Sequence, residues 1–377
     1  MTQKLYEIDA YLAEFNAIVT DCIQDGDKFK ITLDKTAFFP EGGGQAADIG
    51  SLNDAKVFDV QEQNGVIYHY TDKPLETGSN ISGKIDFDRR FNFMQNHTGE
   101  HIVSGLANRL FAVNNAGFHL SEELVTVDFD KELTREQLDE VEYLANKAVW
   151  ANLPVNTYYP TDDELKNTDY RSKKEIDGAV RLVSIKDTDI CACCAPHVKN
   201  TGEIGVIKLL DTERMRGGIR IVMKCGNFAL QDYKNKHQNI SQISAQLSAK
   251  QENAAEAVVL LNNKLTAEIG NTVALKRKIA ELIADTTSAE QNCVFVDDCD
   301  IKDLQLIADK LHKNHSGIKA VFSGEGESYN FAICGEDGEL QEFFKDFKSK
   351  LSVRGGGRGG MVQGSVIADK SQIKLFF

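Results

Sequence analysis

Residues 97–101 read His-Thr-Gly-Glu-His and begin an apolar pattern that continues through Ile102, Leu106 and Leu110. Apolar residues three and four positions apart are typical of an amphipathic helix, so the pattern predicts a helix with His97 and His101 near its start. Side chains four residues apart lie on one face of a helix, where two imidazole rings can bind one metal ion. The stretch therefore predicts a rigid element that carries half of a metal site.

Residues 193–197 read Cys-Cys-Ala-Pro-His, with the same four-residue spacing between Cys193 and His197. Cys191 precedes them, and three cysteines within four residues followed by a histidine are typical of a metal site. A thiol redox pair is the alternative. Combined with the helix, this cluster predicts a zinc centre formed by His97, His101, Cys193 and His197.

The composition is that of a globular protein with more than one domain. The chain has 377 residues, of which 42% are hydrophobic and 27% charged, and this length exceeds one ordinary core. No apolar run reaches the length of a membrane span, and the first seven residues lack the basic and apolar segments of a secretory signal. We therefore expect a cytoplasmic protein without a membrane partner.

The formal net charge of −14 argues against a polyanionic partner such as nucleic acid. The charge is uneven, however. Residues 343–377 contain seven Lys and Arg residues and two Asp residues, a local balance of +5. Because one positive surface is enough to bind a phosphate backbone, nucleic acid stays a candidate partner for this end of the chain.

Residues 38–45 read Phe-Phe-Pro-Glu-Gly-Gly-Gly-Gln. Consecutive glycines allow positive φ angles or a close approach of the backbone to a ligand. A flexible turn is the alternative, but Thr36 and Gln45 on either side of the glycines are neutral hydrogen-bonding residues suited to a small polar substrate. We interpret the segment as part of a binding site.

A second glycine-rich segment, residues 354–360, reads Arg-Gly-Gly-Gly-Arg-Gly-Gly. Backbone N–H groups and arginine side chains both bind phosphate, but the segment lacks the Gly-Lys-Ser/Thr ending of a nucleotide P-loop. Contact of Arg354 and Arg358 with a nucleic-acid backbone is the functional interpretation. A disordered tail is the alternative.

The order of the patterns predicts an α+β protein with four segments. Residues 1–88 read as strands and turns, and residues 89–226 mix helices with strands around the metal pairs. Residues 227–288 contain no proline and predict one long helix or a helical hairpin, acting as a spacer or dimer seam, with Gly270-Asn271 as the candidate turn. Residues 289–377 predict an α/β domain.

Several of these blocks resemble a known family, the free-standing alanyl-tRNA editing proteins, which are similar to the editing and C-terminal parts of alanyl-tRNA synthetase. The blocks are 38–45, 96–101, 193–198 with 200–205, 218–221 and the glycine-rich tail. The resemblance implies a small barrel-like N-terminal domain, a zinc editing domain, a helical connector and a C-terminal DHHA1-like domain of the type found in DHH-family phosphoesterases.

The resemblance also implies a reaction, which is hydrolysis of the ester that joins serine or glycine to alanine tRNA. The chain is too short for an added aminoacylation domain, so we expect hydrolysis without amino-acid activation. Four protein ligands would close a tetrahedral zinc site, and catalysis needs an open position, so we expect Cys193 to be the loosely held ligand.

Further residue roles follow from the resemblance. Thr36 is expected to read the serine hydroxyl and Gln45 to lie beside the substrate. The remaining contacts with substrate or tRNA are assigned to Gly43, Gly44, Arg220, Arg354 and Arg358. The expected partner is mischarged alanine tRNA, with a homodimer through the helical connector or the C-terminal domain.

Two rival interpretations stay open from the sequence. His-Thr-Gly-Glu-His also fits the inverted H-x-x-E-H pattern of zinc peptidases, in which Glu100 would be the catalytic base. A second rival is an RNA-binding module without catalysis, in which zinc is structural and the glycine-arginine tail holds RNA.

Overall fold

Alternating buried and exposed residues in the first 85 positions close into a six-stranded barrel, in the strand order Glu14–Asp25, Lys28–Leu33, Val66–Thr71, Ala55–Gln63, Gly50–Leu52 and Asn80–Ile85. The structure is a computed structural model and describes residues 1–172 and 178–377. In chain order, this region comprises β1 (Gln3–Lys4), α1 (Leu5–Ile8), β2 (Glu14–Asp25), β3 (Lys28–Leu33), β4 (Lys35–Thr36), β5 (Gly50–Leu52), β6 (Ala55–Gln63), β7 (Val66–Thr71) and β8 (Asn80–Ile85). The barrel encloses its own apolar core.

The predicted metal-bearing helix is longer than the sequence pattern indicated. It is α2 (Phe87–Phe111), and Asp86 caps it by accepting a hydrogen bond from the backbone N–H of Arg89. His97 and His101 therefore lie in the middle of the helix, and their predicted position near its start was wrong. Residues 93–107 are all buried, so this helix is the centre of a second core.

A four-stranded sheet and a three-stranded sheet enclose α2. In chain order, these elements are β9 (Asn115–Leu120), β10 (Val125–Phe129), α3 (Arg135–Trp150), β11 (Val155–Tyr158), α4 (Asp162–Asn167), β12 (Leu182–Ile185), β13 (Asp189–Ala192), β14 (Ile207–Met215) and β15 (Gly218–Cys225). The sheet orders are β14-β15-β10-β9 and β11-β12-β13, with antiparallel pairing throughout. Thr134 and Gln137 form the predicted capping box at the start of α3.

The remaining elements are α5 (Gly226–Leu247), α6 (Ala254–Thr286), β16 (Cys293–Phe295), α7 (Ile301–Asn314), β17 (Lys319–Glu325), β18 (Ser328–Cys334), α8 (Asp337–Lys350), β19 (Ser352–Gly356), β20 (Met361–Ile367) and α9 (Lys370–Lys374). The sheet order is β16-β17-β18-β20-β19, and β16 pairs in parallel with β17. One face of this sheet packs on α6 and α7, and the other packs on α8 and α9.

The chain divides into two compact units, Met1–Asn239 and Ile240–Phe377. Of the two predicted forms of the connector, the structure has two helices, α5 and α6, and the turn lies at residues 248–253. The candidate turn at Gly270-Asn271 was wrong, because α6 runs through both residues. The mixed α+β class is confirmed, whereas the four-segment division stays a prediction. Among the described residues, no helix has the length and apolarity that a membrane span requires.

Candidate metal centre

The four predicted zinc ligands meet at one place in the first unit. Helix α2 supplies His97 and His101, and the loop after β13 supplies Cys193 and His197. One ligand atom from each residue lies within 4.8 Å of all the others. The three histidines are buried and Cys193 is half-buried.

The spacing of these atoms fits a zinc ion. The Sγ atom of Cys193 lies 3.6 Å from Nε2 of His97 and 3.5 Å from Nε2 of His197. Tetrahedral zinc with Zn–S near 2.3 Å and Zn–N near 2.0 Å separates its sulfur and nitrogen ligands by about 3.5 Å. Three imidazoles and one thiol are also the donor types that zinc prefers, so the residues present fit this ion.

In each histidine, Nδ1 contacts a neighbouring side chain, which leaves Nε2 toward the centre of the cluster. The Nδ1–H of His97 donates to Oε1 of Gln45 at 2.7 Å, and Nδ1 of His197 lies 3.0 Å from Oγ1 of Thr98. Nδ1 of His101 lies 3.1 Å from the carboxylate of Asp189. Such partners hold the tautomer and ring orientation that leave Nε2 for a metal.

Asp189 is itself held by an arginine. Arg171 donates to both carboxylate oxygens, from Nε at 2.7 Å and from Nη2 at 2.8 Å. Cys191 lies in the same group, with its thiol within 4.8 Å of His101 and Asp189. The two cysteines therefore belong to different groups around His101. Cys193 lies with His97 and His197, and Cys191 lies with Asp189.

Burial and the neighbouring side chains together set the pKa values of these groups. Burial lowers the pKa of His197 to about 3, so this ring is neutral, as a metal ligand must be. Burial opposes the thiolate of Cys193, but the electrostatic interaction with His97 and hydrogen bonds with the three histidines outweigh it and hold the Cys193 pKa well below its usual range. Burial also opposes a charged His101, but Cys191, Asp189 and Cys193 raise its pKa. The thiolate is the form that binds metal.

Arg181, which is nearly fully buried, holds the turn that carries Cys193 and His197. Its Nη1 donates to the carbonyl oxygens of Cys193 at 3.0 Å and Ala195 at 3.1 Å. The backbone N–H of Cys193 in turn donates to the carbonyl of Arg181 at 3.0 Å. Ala195 belongs to the barrel core, so the turn is packed against the barrel.

The glycine loop brings Gln45 to the cluster. Gly43 and Gly44 have φ angles of +60° and +86°, and a Cβ on Gly44 would lie 2.1 Å from the carbonyl oxygen of Phe118. The ring of Phe118 packs 4.9 Å from that of His97. Gln45 is fully buried, and in the part of the chain that the structure describes its Nε2 has no hydrogen-bond partner. The site thus holds an unused amide donor.

Thr36 lies in the barrel and is fully buried. Its Oγ1 is 2.8 Å from Nε2 of His69 and accepts a hydrogen bond from the backbone N–H of Phe38 at 3.1 Å. Burial lowers the pKa of His69 to about 4. The neutral ring donates from Nδ1 to the carbonyl of Ile31, so Nε2 accepts from the Thr36 hydroxyl. Thr36 is therefore left with only one accepting lone pair.

Of the three predicted arginines, one lies in the first unit and two lie in the second. Arg220 on β15 donates to both carboxylate oxygens of Asp128, each at 2.8 Å. Arg354 and Arg358 belong to the second unit, where both are exposed at the β19–β20 hairpin. Their assignment to substrate or tRNA stays a prediction.

Glu100, the catalytic base required by the peptidase interpretation, is buried on α2. Its Oε1 accepts hydrogen bonds from Ser104 at 2.5 Å and from Asn115. The Glu100 carboxylate is thus hydrogen-bonded to side chains of α2 and β9, as a structural residue would be. These contacts give the peptidase interpretation no support.

Sequence reasoning missed the residues that hold the ligands, namely Thr98, Arg171, Arg181 and Asp189. Thr98 follows His97 directly, and no pattern distinguishes it from other threonines in a helix. Asp189 had a usable signal, since it lies two residues before Cys191 and metal-binding histidines commonly donate to carboxylates.

Two family profiles match this chain. The family described as "tRNA synthetases class II (A)" matches residues 7–89, and "Threonyl and Alanyl tRNA synthetase second additional domain" matches residues 180–222. The second match covers β12, β13 and the turn that carries Cys193 and His197.

Individual relatives cover nearly the whole chain. Alanine–tRNA ligase of Pyrococcus abyssi is 32% identical over 95% of this chain, which spans 41% of that ligase. Alanyl-tRNA editing protein Aarsd1 of Rattus norvegicus is 27% identical over 96% of this chain and 93% of its own. A solved structure, the C-Ala domain of Aquifex aeolicus alanyl-tRNA synthetase, covers 23% of this chain and 87% of its own at 20% identity and a TM-score of 0.19. The resemblance noted in the sequence motifs is confirmed.

Proposed function

Because the chain is a relative of the alanyl-tRNA editing proteins over nearly its whole length, we propose that it hydrolyses mischarged alanine tRNA. The bond cleaved is the ester between serine or glycine and the terminal ribose. The observation that carries the proposal is the buried cluster of three histidines and one cysteine, with the unpaired amide of Gln45 beside it. A cytoplasmic location, where aminoacyl-tRNA is used, accompanies this function.

His97, His101, Cys193 and His197 would hold zinc. When bound, the ion supplies Lewis acidity and positive charge for ester hydrolysis. Of the four residues, only Cys193 is not fully buried as a residue, which supports its assignment as the loosely held ligand.

Gln45 has two roles in this proposal, one for each end of its amide. Oε1 accepts from His97 and holds that ring with Nε2 toward the other ligands. Nε2 is then the free donor, and we assign it to an oxygen of the substrate ester, where developing negative charge strengthens the hydrogen bond. Gly43 and Gly44 shape the backbone that places this side chain.

Thr36 is assigned to the serine hydroxyl as an acceptor. Its own proton is used by His69, so a serine hydroxyl would donate to the lone pair that is left. Alanine has no hydroxyl to donate, and a site built around such a bond discriminates strongly against a substrate that lacks it. Thr36→Val should therefore slow seryl-ester hydrolysis more than glycyl-ester hydrolysis.

The second unit is assigned to tRNA binding as a DHHA1-like domain. Arg354 and Arg358 are exposed on a hairpin within the basic stretch 343–377, and exposed guanidinium groups are suited to phosphates. Arg220 is a weaker candidate, because a phosphate would compete with Asp128 for its guanidinium. We keep the four-segment division at 88, 226 and 288 as part of this proposal.

We also propose a homodimer through α6. Between Val258 and Leu282, ten large apolar side chains of this helix are exposed, including Leu260 at 62% and Ile269 at 58%. A lone helix gains its stability in water from packing of an apolar face, so this one needs a partner. A second copy matches the repeating three-and-four spacing. Light scattering should give a dimer that Leu265→Glu/Ile269→Glu converts to a monomer; a monomeric wild type would contradict it.

The test of the main proposal is hydrolysis of Ser-, Gly- and Ala-tRNA(Ala) by zinc-loaded full-length protein. We expect cleavage of seryl or glycyl esters, loss of activity on chelation, and recovery when zinc is returned. A metallated protein that leaves both mischarged esters intact would contradict the proposal and favour the RNA-binding module. Glu100→Gln is a control, because the peptidase interpretation requires it to abolish hydrolysis.

A further inference from the structure

A buried ion pair between Arg90 and Asp48 lies outside the metal cluster and is not explained by it. Arg90 is fully buried on α2, seven residues or about 10 Å before His97 along the helix. Asp48 is 1% exposed and follows Gln45 by three residues. The pair therefore joins the helix that carries two ligands to the loop that carries Gln45.

The guanidinium of Arg90 contacts three separate segments of chain. Nε donates to the two carboxylate oxygens of Asp48 at 2.9 and 3.0 Å, and Nη2 donates to the same carboxylate and to the carbonyl of Ala37 at 2.8 Å. Nη1 donates to the carbonyl of Ala10 at 3.0 Å. Since Ala37 is adjacent to Thr36, one side chain holds the backbone on both sides of the glycine loop.

Asp48 also closes the base of that loop. Its carboxylate accepts from the backbone N–H of Phe39 at 2.6 Å, and its own N–H donates to the carbonyl of Phe39 at 2.9 Å. Residues 40–47 thus form a closed loop with three attachments to α2, one of which is the hydrogen bond from Nη1 of Arg89 to the carbonyl oxygen of Ala47. Arg90 holds the base, and the 2.7 Å bond from His97 to Gln45 holds the tip.

An ion pair is a costly way to fill this space. Burying two charges sacrifices hydration, and well-packed apolar residues of similar size are often equally stabilising or more so. What the bidentate pair supplies beyond stability is a single geometry, because a planar guanidinium matches a carboxylate in one register. A displacement of about 1 Å at a reacting group lowers rates by about 100-fold.

We propose that Arg90 and Asp48 are positioning residues that set the register of the glycine loop on α2, so that Gln45 meets His97. This inference rests on the proposed function for its kinetic consequences. Its structural consequence does not, because the contact between Gln45 and His97 exists with or without substrate. The two can therefore fail separately.

The first experiment uses full-length, zinc-loaded Arg90→Lys, in which an ammonium group cannot make the bidentate contact. We expect zinc content and the visible spectrum of the cobalt-substituted protein to be retained, kcat on the mischarged ester to fall at least about 10-fold, and KM to change little. Ile67→Ala in the barrel core is the matched control, because it leaves a cavity at a fully buried position on β7 and so lowers Tm without removing the ion pair. Equal kcat losses in both variants would overturn the proposal.

The second experiment replaces the whole pair in Arg90→Met/Asp48→Leu. We expect Tm to recover toward the wild-type value while kcat stays low, because apolar packing restores stability without restoring register. Recovery of both would show a purely structural pair and overturn the proposal.

A third measurement is independent of catalysis. The Nδ1–H proton of His97, bonded to Gln45, should give a protected NMR signal in the wild type and lose it in both Arg90 variants. A signal that persists in them would overturn the inference even if the protein hydrolysed no ester.

Discussion

The two glycine-rich segments of this chain have similar sequences and opposite placements. In the first, Gly44 packs against the backbone of Phe118 and the next residue, Gln45, is fully buried beside the metal cluster. In the second, residues 354–360 are all exposed, on an edge strand and the turn that follows it. Consecutive glycines therefore predict an unusual backbone conformation, but they do not predict whether the segment is buried at a site or exposed. Here the first segment places the Gln45 side chain in a buried site, and in the second segment Arg354 and Arg358 are exposed to solvent.

The difference also separates two kinds of role. Residues around the first segment are held by hydrogen bonds to α2 and β9, so changes there should affect chemistry and folding. Arg354 and Arg358 are exposed, so we expect substitutions there to affect tRNA binding alone.

The largest effect is expected from removing a ligand near the first segment. His101→Ala should lower zinc affinity by more than about 100-fold and activity with it, because even loss of a ligand's hydrogen-bond partner costs 10- to 100-fold. Metal analysis after dialysis against a weak chelator measures this. His119→Ala, an exposed histidine on β9, is the control. Full zinc occupancy in His101→Ala would argue against the ligand set.

Alanine substitutions compare the two segments directly. Gly44→Ala should cost more than about 3 kcal/mol of unfolding free energy, because it combines a φ of +86° with a Cβ that meets the Phe118 carbonyl. Gly356→Ala meets nothing within 4 Å and should change stability by no more than about 0.5 kcal/mol. Urea unfolding measures both. Comparable losses would remove the distinction between a packed and an exposed glycine segment.

Acid should act on the first unit through His69. Its folded pKa is about 4, against an ordinary value of 6.5, so the unfolded chain binds the proton first as pH falls. Stability from this group is full above pH 6.5 and is lost progressively toward pH 4, by up to about 1.4 kcal/mol per pH unit. Unfolding curves at pH 7 and 5 should show a loss that His69→Gln reduces. An unchanged pH dependence in that variant would contradict a neutral His69.

The smallest effect is expected at the second segment. Arg354→Ala/Arg358→Ala should weaken tRNA binding several-fold at physiological salt and lower the slope of log affinity against log salt by about 1 per lost phosphate contact. Zinc content and Tm should not change. Titration of tRNA at several salt concentrations measures the slope, and an unaltered slope would remove the arginines from the interface.

Short-range patterns in the sequence predicted the parts of the site that follow helix and strand periods. The four-residue spacing of His97 and His101 placed two candidate ligands on one face of a helix, and the strand-like pattern of the first 88 residues indicated a β-rich domain. Cys193 and His197 could be paired with them only through chemistry, because the structure brings together residues about 96 positions apart.

The supporting contacts could not be predicted in the same way. Arg90, Asp48 and Ala37 meet through tertiary packing, and an arginine in sequence gives no sign that it is fully buried. The hydroxyl of Thr36 was expected to be available for substrate, but His69 lies 33 residues away and uses its proton. The partner of a buried polar group depends on the fold, so it is visible only once the strands are closed into a barrel.

The most direct test of the account is a kinetic comparison on Ser-tRNA(Ala) between zinc-loaded wild type, Gln45→Leu and Arg354→Ala/Arg358→Ala. We expect Gln45→Leu to lower kcat by about 10- to 100-fold with little change in KM, since it removes a donor to the reacting ester. The arginine variant should raise KM and leave kcat unchanged. Wild-type protein without activity, or a Gln45→Leu variant with wild-type kcat, would contradict it.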